Sequence, residues 1–212
     1  ISEFIPECPL AIRSIENAIA SQRPRRNIPD SLKTSVTSFV NNADLSGNSL
    51  DIVNLDILRG LLTYGTTRIL VTTFMPDGIE TRYDEQVYGV QPYLVDYTPL
   101  DVINWETDLL GNLLWVVIQE NFTRQAGPAE KRKNYTKFVI YTTTTWETYE
   151  FEKDSDKGAV VLVSHDTGEH GLGVVPMVIE SLRGRGVHKL DGESFIKLSS
   201  RLDIRKFRYE SD

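Results

Sequence analysis

Cysteine is almost absent from this chain of 212 residues, and the single Cys8 can form neither an internal disulfide nor a cysteine-based zinc site. A lone thiol is typical of a protein from a reducing compartment. Long apolar runs are also missing: the longest, such as Leu113–Ile118, have the length of a strand and fall well short of the ~18 residues that a membrane-spanning helix needs. No secretory h-region opens the sequence. We therefore expect no membrane among its partners.

An excess of basic residues is missing as well. Lysine and arginine number 23 against 30 acidic residues, a formal net charge of -7, which counts against a dedicated nucleic-acid binder. The charges are nonetheless grouped, because residues 77–108 are acidic whereas residues 21–33 and 181–208 are basic. Such blocks are either solvated faces or contacts between neighbouring subunits. Salt screens charges beyond about 8 Å, so they would act only at a docked interface.

Familiar catalytic motifs do not occur in the sequence. It contains no nucleophile elbow of the Gly-x-Ser-x-Gly type, no phosphate-binding loop and no dinucleotide-binding fingerprint. Cys8 has no histidine near it in the sequence, and the carboxylate pair Asp84-Glu85 stands in a polar segment. We accordingly predict that the protein is not an enzyme and has no catalytic residues and no cofactor.

One local cluster combines imidazoles with carboxylates: His165, Asp166, Glu169 and His170. These side chains can ligate zinc or another divalent ion. The competing interpretation is a polar hairpin loop between two strands, which Gly168 and the following glycines favour because metal ligands need rigid support. We therefore predict no metal site.

The spacing of apolar residues predicts helices first and strands afterwards. Three helices are expected. The first covers residues 9–21, and the second runs to about residue 40 with Asp30 or Ser31 as its capping residue. The third covers residues 49–64 and is followed by Gly65, which suits a left-handed turn. Segments rich in β-branched and aromatic residues then predict strands. These segments are 68–74, 93–97, 102–105 (a strand or a single turn), 113–120, 137–141, 145–151, 159–164 and 174–180.

A last helix is expected from about Ser194 to Asp212, with Phe195, Leu198, Leu202 and Tyr209 on its apolar side. It has no stop signal, and we expect the chain to be a fragment of a longer one. The order of elements indicates an α+β fold, with N-terminal helices packed on a mixed or antiparallel sheet. Three segments are expected: an N-terminal helix with a basic connector (1–29), an α+β body (30–182) and the C-terminal helix (183–212).

The three tryptophans, Trp105, Trp115 and Trp146, lie in strand-like segments. Large aromatic side chains in such positions either pack in the core or anchor a subunit interface. The sequence leaves both possibilities open.

Several segments, in this order along the chain, resemble the portal proteins of tailed bacteriophages. The similarity depends on their collinear order, since each segment by itself is short. They are Asp44–Leu50, Leu61–Gly65, Ile69–Val71, Tyr93–Trp105 with Gly111 and the strand to Glu120, Gly173–Pro176, and Leu198–Asp212.

The resemblance implies a structural subunit without catalysis. Portal proteins form a ring, usually of twelve subunits, at one capsid vertex, through which a separate terminase motor packages double-stranded DNA and through which the DNA later leaves. The implied partners are further copies of the chain, DNA passing without specific contacts, the terminase, the capsid and head-completion proteins. The implied locations are the virion and, during assembly, the host cytoplasm. The chain would be the outer wing, with its last helix leading towards a missing stem.

An acidic body suits such a conduit, because each neutralised phosphate would add affinity for DNA that has to slide. A first alternative is another oligomeric virion or tail-adaptor module in which the acidic and basic blocks pair between subunits. A second alternative is a small metal-dependent hydrolase built on His165, Asp166, Glu169 and His170.

Overall fold

The computed structural model describes residues 7–22, 24–74, 81–153, 159–182 and 192–197. The chain divides into two compact units. The first contains residues 1–96 and 178–212, and the second contains residues 97–177. This division differs from the expected segments 1–29, 30–182 and 183–212, which stay a prediction.

Helices and two antiparallel sheets make up the fold, so the predicted α+β class is confirmed. The helices are α1 (Glu7–Ala20), α2 (Lys33–Asn41), α3 (Leu50–Tyr64) and α4 (Arg82–Val87). The strands are β1 (Thr66–Thr73), β2 (Pro92–Tyr97), β3 (Val102–Thr107), β4 (Leu113–Arg124), β5 (Lys133–Thr142), β6 (Thr145–Lys153), β7 (Val160–Glu169) and β8 (Met177–Ser181).

The first unit packs its helices beside a three-stranded sheet of order β2-β1-β8. Helix α3 contacts both α1 and strand β1, which agrees with its broad apolar face. It ends where predicted, at Gly65, whose φ of 82° lies in the left-handed region. The α1–α3 contact includes a paired charge: the buried Glu16 accepts hydrogen bonds from Arg59 Nε at 2.8 Å and Nη2 at 3.2 Å.

Two local predictions for this unit are wrong. Neither Asp30 nor Ser31 caps α2: a short 3-10 helix covers Asp30–Leu32, and α2 begins at Lys33 without a side-chain cap. Helix α4 was not expected, although its start has a reciprocal cap of Thr81 and Asp84. The Thr81 N–H donates to Asp84 Oδ2 at 3.0 Å and the Asp84 N–H donates to Thr81 Oγ1 at 3.2 Å.

The second unit contains a five-stranded antiparallel sheet of order β3-β4-β5-β6-β7. Its longest strands exceed their predicted lengths, because pairing with a neighbour continues past the apolar segments. Arg124 at the end of β4 lies opposite Lys133 at the start of β5. Cross-strand hydrogen bonds thus extend the ladder into polar sequence that has little strand propensity of its own.

Strand β8 begins at Met177, three residues later than predicted and directly after Pro176, which has no N–H to donate to a sheet. Further on, the Ser194 hydroxyl donates to the carbonyl oxygen of Thr63 at 2.6 Å and so holds residues 192–197 at the end of α3. The predicted last helix lies, beyond Lys197, outside the described residues.

Candidate interaction surface

The five-stranded sheet has two faces of different character. Side chains alternate along each strand, and the register places Val116 and Ile118 of β4 on the same face as Val139 of β5. Val116 and Ile118 are completely buried, and Val139 is 6 % exposed. We call this the covered face. The opposite face, which includes Val117 and Ile140, is called the open face.

Residues near both ends of the unit contact the covered face. The Tyr97 hydroxyl donates to Glu120 Oε1 at 2.5 Å. The His170 ring lies 6.2 Å from the Tyr141 ring, measured between centroids. Farther along, the Trp146 indole lies over Gly168, where a Cβ would approach the ring to 2.7 Å. Only glycine fits there, so close packing defines this face.

A charged and aromatic cluster completes the covered face at the opposite end of the strands. The rings of Phe122 and Tyr135 stack at 5.7 Å, and the Arg124 guanidinium lies 4.7 Å from the Phe122 centroid. Arg124 also pairs with Glu150 at 2.5 Å. The Tyr135 hydroxyl donates to Glu152 at 3.2 Å. Burial, and then this hydrogen bond, raises the pKa of Tyr135 above its ordinary value. The cluster is internally paired and needs no ligand.

The open face presents apolar and aromatic side chains that no helix of its own unit covers, because all four described helices belong to the first unit. Six of these side chains are half-buried and Leu162 is 49 % exposed. They cross the sheet diagonally from β4 to β7. We call this set the diagonal stripe: Trp115, Val117, Phe138, Ile140, Tyr149, Phe151 and Leu162.

The two flanks of the diagonal stripe differ in charge. On the side of the β5–β6 turn lie two carboxylates, Glu147 and Glu169. The Tyr149 hydroxyl donates to Glu147 Oε2 at 2.7 Å. That hydrogen bond, with burial second, raises the pKa of Tyr149. On the other side the flank has no net charge, because the opposite charges of Glu106 on β3 and Lys153 on β6 cancel. Between them the Thr136 hydroxyl donates to Asn121 Oδ1 at 2.9 Å. The stripe is therefore bordered by acid on one side and by a flank without net charge on the other.

The turn between β3 and β4 displays two leucines in water, since Leu109 is 96 % and Leu110 is 86 % exposed. Asp108 holds this turn. Its Oδ1 accepts the N–H groups of Leu110 and Asn112, each at 2.8 Å, and its Oδ2 accepts the Asn112 amide at 2.8 Å. The bonds from Asn112, which outweigh desolvation, lower the pKa of Asp108. The turn is thus locally braced, and the exposure of its leucines does not result from a lack of structure.

The same five-residue pattern, Asp-Leu-x-Gly-Asn, occurs twice, at 44–48 and at 108–112. In the first copy Asp44 accepts the Ser46 N–H at 2.9 Å and the Asn48 side-chain amide at 2.7 Å. Desolvation opposes ionisation of Asp44, but these hydrogen bonds prevail and lower its pKa. The signal for the repeat is present in the sequence as Asp, Leu, Gly and Asn at the same spacing in both copies.

The four residues His165, Asp166, Glu169 and His170 were expected in a polar hairpin loop. That expectation is wrong. Strand β7 continues to Glu169 and includes three of the four. Alternation puts His165 on the open face, where it stacks on Tyr149 at 4.4 Å, and puts Asp166 on the covered face. His170 Nε2 lies 3.1 Å from the Thr142 carbonyl oxygen. Among the described residues no group of three or more His, Cys, Asp or Glu is arranged to hold a metal ion.

The tryptophans and the acidic block are each divided by the fold. Trp115 belongs to the diagonal stripe, whereas Trp105 and Trp146 lie on the covered face. The described members of the acidic block are divided between the two units: Asp84, Glu85 and Asp96 belong to the first, and Asp101, Glu106 and Asp108 belong to the second. Three of its members accept local hydrogen bonds in turns and caps: Asp84 from Thr81, Asp101 from Thr98 and Asp108 from Asn112. Asp96 on β2 instead accepts a hydrogen bond from Thr67 on β1.

Comparison with known proteins identifies no relative: no protein-family model matches the chain, and no curated protein matches its sequence. None of the helices in the described part of the chain is long and apolar enough to cross a membrane.

Proposed function

We propose that this protein is a structural subunit of the portal ring of a tailed bacteriophage, through which double-stranded DNA is packaged and ejected. The observation that supports the proposal best is the diagonal stripe on the open face. Apolar surface of this extent, on a sheet whose buried residues Val116, Ile118 and Val139 lie on the other face, is typical of a surface that another protein covers. A subunit that assembles with copies of itself needs such a face.

The position of the stripe suits a repeated contact. It lies on hydrogen-bonded strands, which hold its side chains in a fixed arrangement that every copy presents in the same way. A surface that meets a different surface of the next copy produces a closed ring when the rotation between copies closes. The proposed further partners are the terminase, capsid and head-completion proteins, and the proposed locations are the virion and the host cytoplasm.

The chemistry proposed for the protein is passive. Its net charge of -7 gives little attraction for the DNA backbone, which suits a ring through which DNA slides. No bond is made or broken by the subunit in this proposal, and no cofactor takes part.

Native mass spectrometry and electron microscopy of the full-length protein test the proposal. We expect rings with a central channel, and we expect Leu162→Glu to prevent their formation because it places a charge on the stripe. Thr123→Glu is the matched control: Thr123 is exposed on the neutral side of the same face, and rings should persist. Circular dichroism checks that both variants fold. Discrete monomers of the unsubstituted protein at high concentration would contradict the proposal.

The same surface also suits another oligomeric virion or tail-adaptor module. The number of subunits separates the two, since a ring near twelve supports a portal and a trimer or hexamer supports the adaptor.

A further inference from the structure

The dimensions of the diagonal stripe match those of a short α-helix. From β4 to β7 it crosses three strand spacings, about 14 Å, and along the strands it runs for about 20 Å. Its diagonal is therefore about 25 Å, the length of a helix of about 16 residues. An apolar band bordered on both sides by polar groups is the pattern that an amphipathic helix would complement.

Charge limits which helix would fit. One flank has Glu147 and Glu169, whereas the other has no net charge. Its uncharged Gln119, Asn121 and Thr136 lie between Glu106 and Lys153, whose charges cancel. A complementary helix would have basic residues along one side of its apolar ridge and few net charges along the other.

Residues 198–212 of this chain, which lie outside the described residues, have that pattern in their sequence. At about 100° per residue, Leu198, Leu202 and Tyr209 fall on one side of a helix. One flank of that side has three arginines, at positions 201, 205 and 208, together with Asp212, a net charge of +2. The other flank has Ser199, Asp203, Lys206 and Glu210, a net charge of -1, and Ile204 and Phe207 fall on the opposite side of the helix. As a helix, these residues would extend for about 22 Å.

We propose that the diagonal stripe is the docking site for residues 198–212 of a second copy of this chain, with the arginine flank beside Glu147 and Glu169. The inference rests on the proposed function, because it needs a partner copy, and it names the contact through which copies join. Apolar contact supplies the attraction, and the acidic flank sets the direction in which the helix lies.

A synthetic peptide of residues 198–212 with a fluorescent label tests the inference. The receptor is the full chain with Leu198→Asp and Leu202→Asp, so that its own segment does not compete. We expect saturable binding by fluorescence anisotropy, and at least tenfold weaker binding when Glu147→Lys and Glu169→Lys are added.

The control leaves the acidic flank unchanged. Asn121→Lys with Thr123→Lys places two lysines on the neutral side, a change of +2 in net charge against +4 for the two Glu→Lys substitutions, and should change the affinity less than threefold. A peptide with Arg201→Glu, Arg205→Glu and Arg208→Glu should recover binding to the Glu147→Lys, Glu169→Lys receptor. Circular dichroism verifies that each receptor is folded.

Three results would overturn the inference: no saturable binding, equal binding of a scrambled peptide, or equal losses from the two pairs of lysine substitutions. The oligomeric state of the unsubstituted protein distinguishes a failure of the docking site from a failure of the proposed function. Rings that form while the peptide fails to bind reject the docking site alone, whereas peptide binding by a protein that forms no ring rejects the portal alone.

Discussion

Ile118 and Ile140 lie on neighbouring strands of one sheet, and their surroundings differ completely. Ile118 faces the covered side and has no exposed surface, whereas Ile140 faces the open side and is half-buried. Both strands alternate in the same way and have aliphatic residues on both faces. The comparison teaches that an aliphatic side chain does not by itself distinguish the covered face from the open face. The difference in burial depends on the side on which other segments of the chain pack.

The largest expected difference between the faces is in the free energy of unfolding. Ile118→Ala should lower it by about 3 kcal/mol, because the surrounding side chains cannot close the cavity. Ile140→Ala should cost about 1 kcal/mol or less, since its side chain is already partly in water. Urea unfolding of both variants measures the difference. Equal losses would mean that the open face is packed as tightly as the covered one.

A smaller effect is expected from the cluster at the end of the covered face. Arg124→Ala should lower the free energy of unfolding by about 1 kcal/mol, because it removes a guanidinium–aromatic contact and the ion pair with Glu150. The Glu150 side chain is only 13 % exposed. Lys153→Ala, an exposed lysine on the open side of the same sheet end, is the control and should cost less than about 0.5 kcal/mol. Thermal unfolding compares the two, and an equal shift in Tm would contradict the difference drawn between the faces.

The smallest effect concerns two tyrosines with raised pKa values, one on each face. On the open face the hydrogen bond to Glu147 is the main cause for Tyr149, so Glu147→Gln should lower the pKa of Tyr149 towards its ordinary value. On the covered face burial is the main cause for Tyr135, so Glu152→Gln should leave most of that shift in place. Tyrosinate absorbance during an alkaline titration, with Tyr→Phe variants to assign each step, measures both.

The sign of the stability change follows from the same shifts. A folded-state pKa above the unfolded value of about 10 contributes stability that is complete below pH 10 and is lost as the pH rises through the folded pKa. Glu147→Gln should therefore reduce the alkaline loss of stability that arises from Tyr149. An unchanged titration in the Glu147→Gln variant would show that the hydrogen bond is not the cause.

Particular elements show how far sequence reasoning reaches. Helix α3 and the turn at Gly65 were predicted closely, because an apolar period and a left-handed glycine are local properties. Strand β7 was predicted too short, and the residues proposed as a metal cluster were placed in a loop. Pairing with β6 extends β7 through His165 and Asp166, and that pairing depends on residues far away in the sequence.

Some residues of the candidate surface were singled out from the sequence, but their arrangement on the sheet was not predicted. The tryptophans were recognised as core or interface residues, and the structure assigns them to different faces. The acidic block was interpreted as a charged face, yet several of its carboxylates are used for caps and turns. The diagonal stripe is invisible in the sequence, because its seven members come from four strands and become neighbours only through the register of the sheet.

By itself the sequence determined the class of fold, the positions of the main helices and strands, and the braced turns at 44–48 and 108–112. These depend on periodicity and on hydrogen bonds between residues close in the chain. Only the tertiary structure decided which face of the five-stranded sheet is packed and which apolar residues remain exposed. The physical reason is that a strand with side chains on both sides can bury either face, and the choice depends on what packs against it.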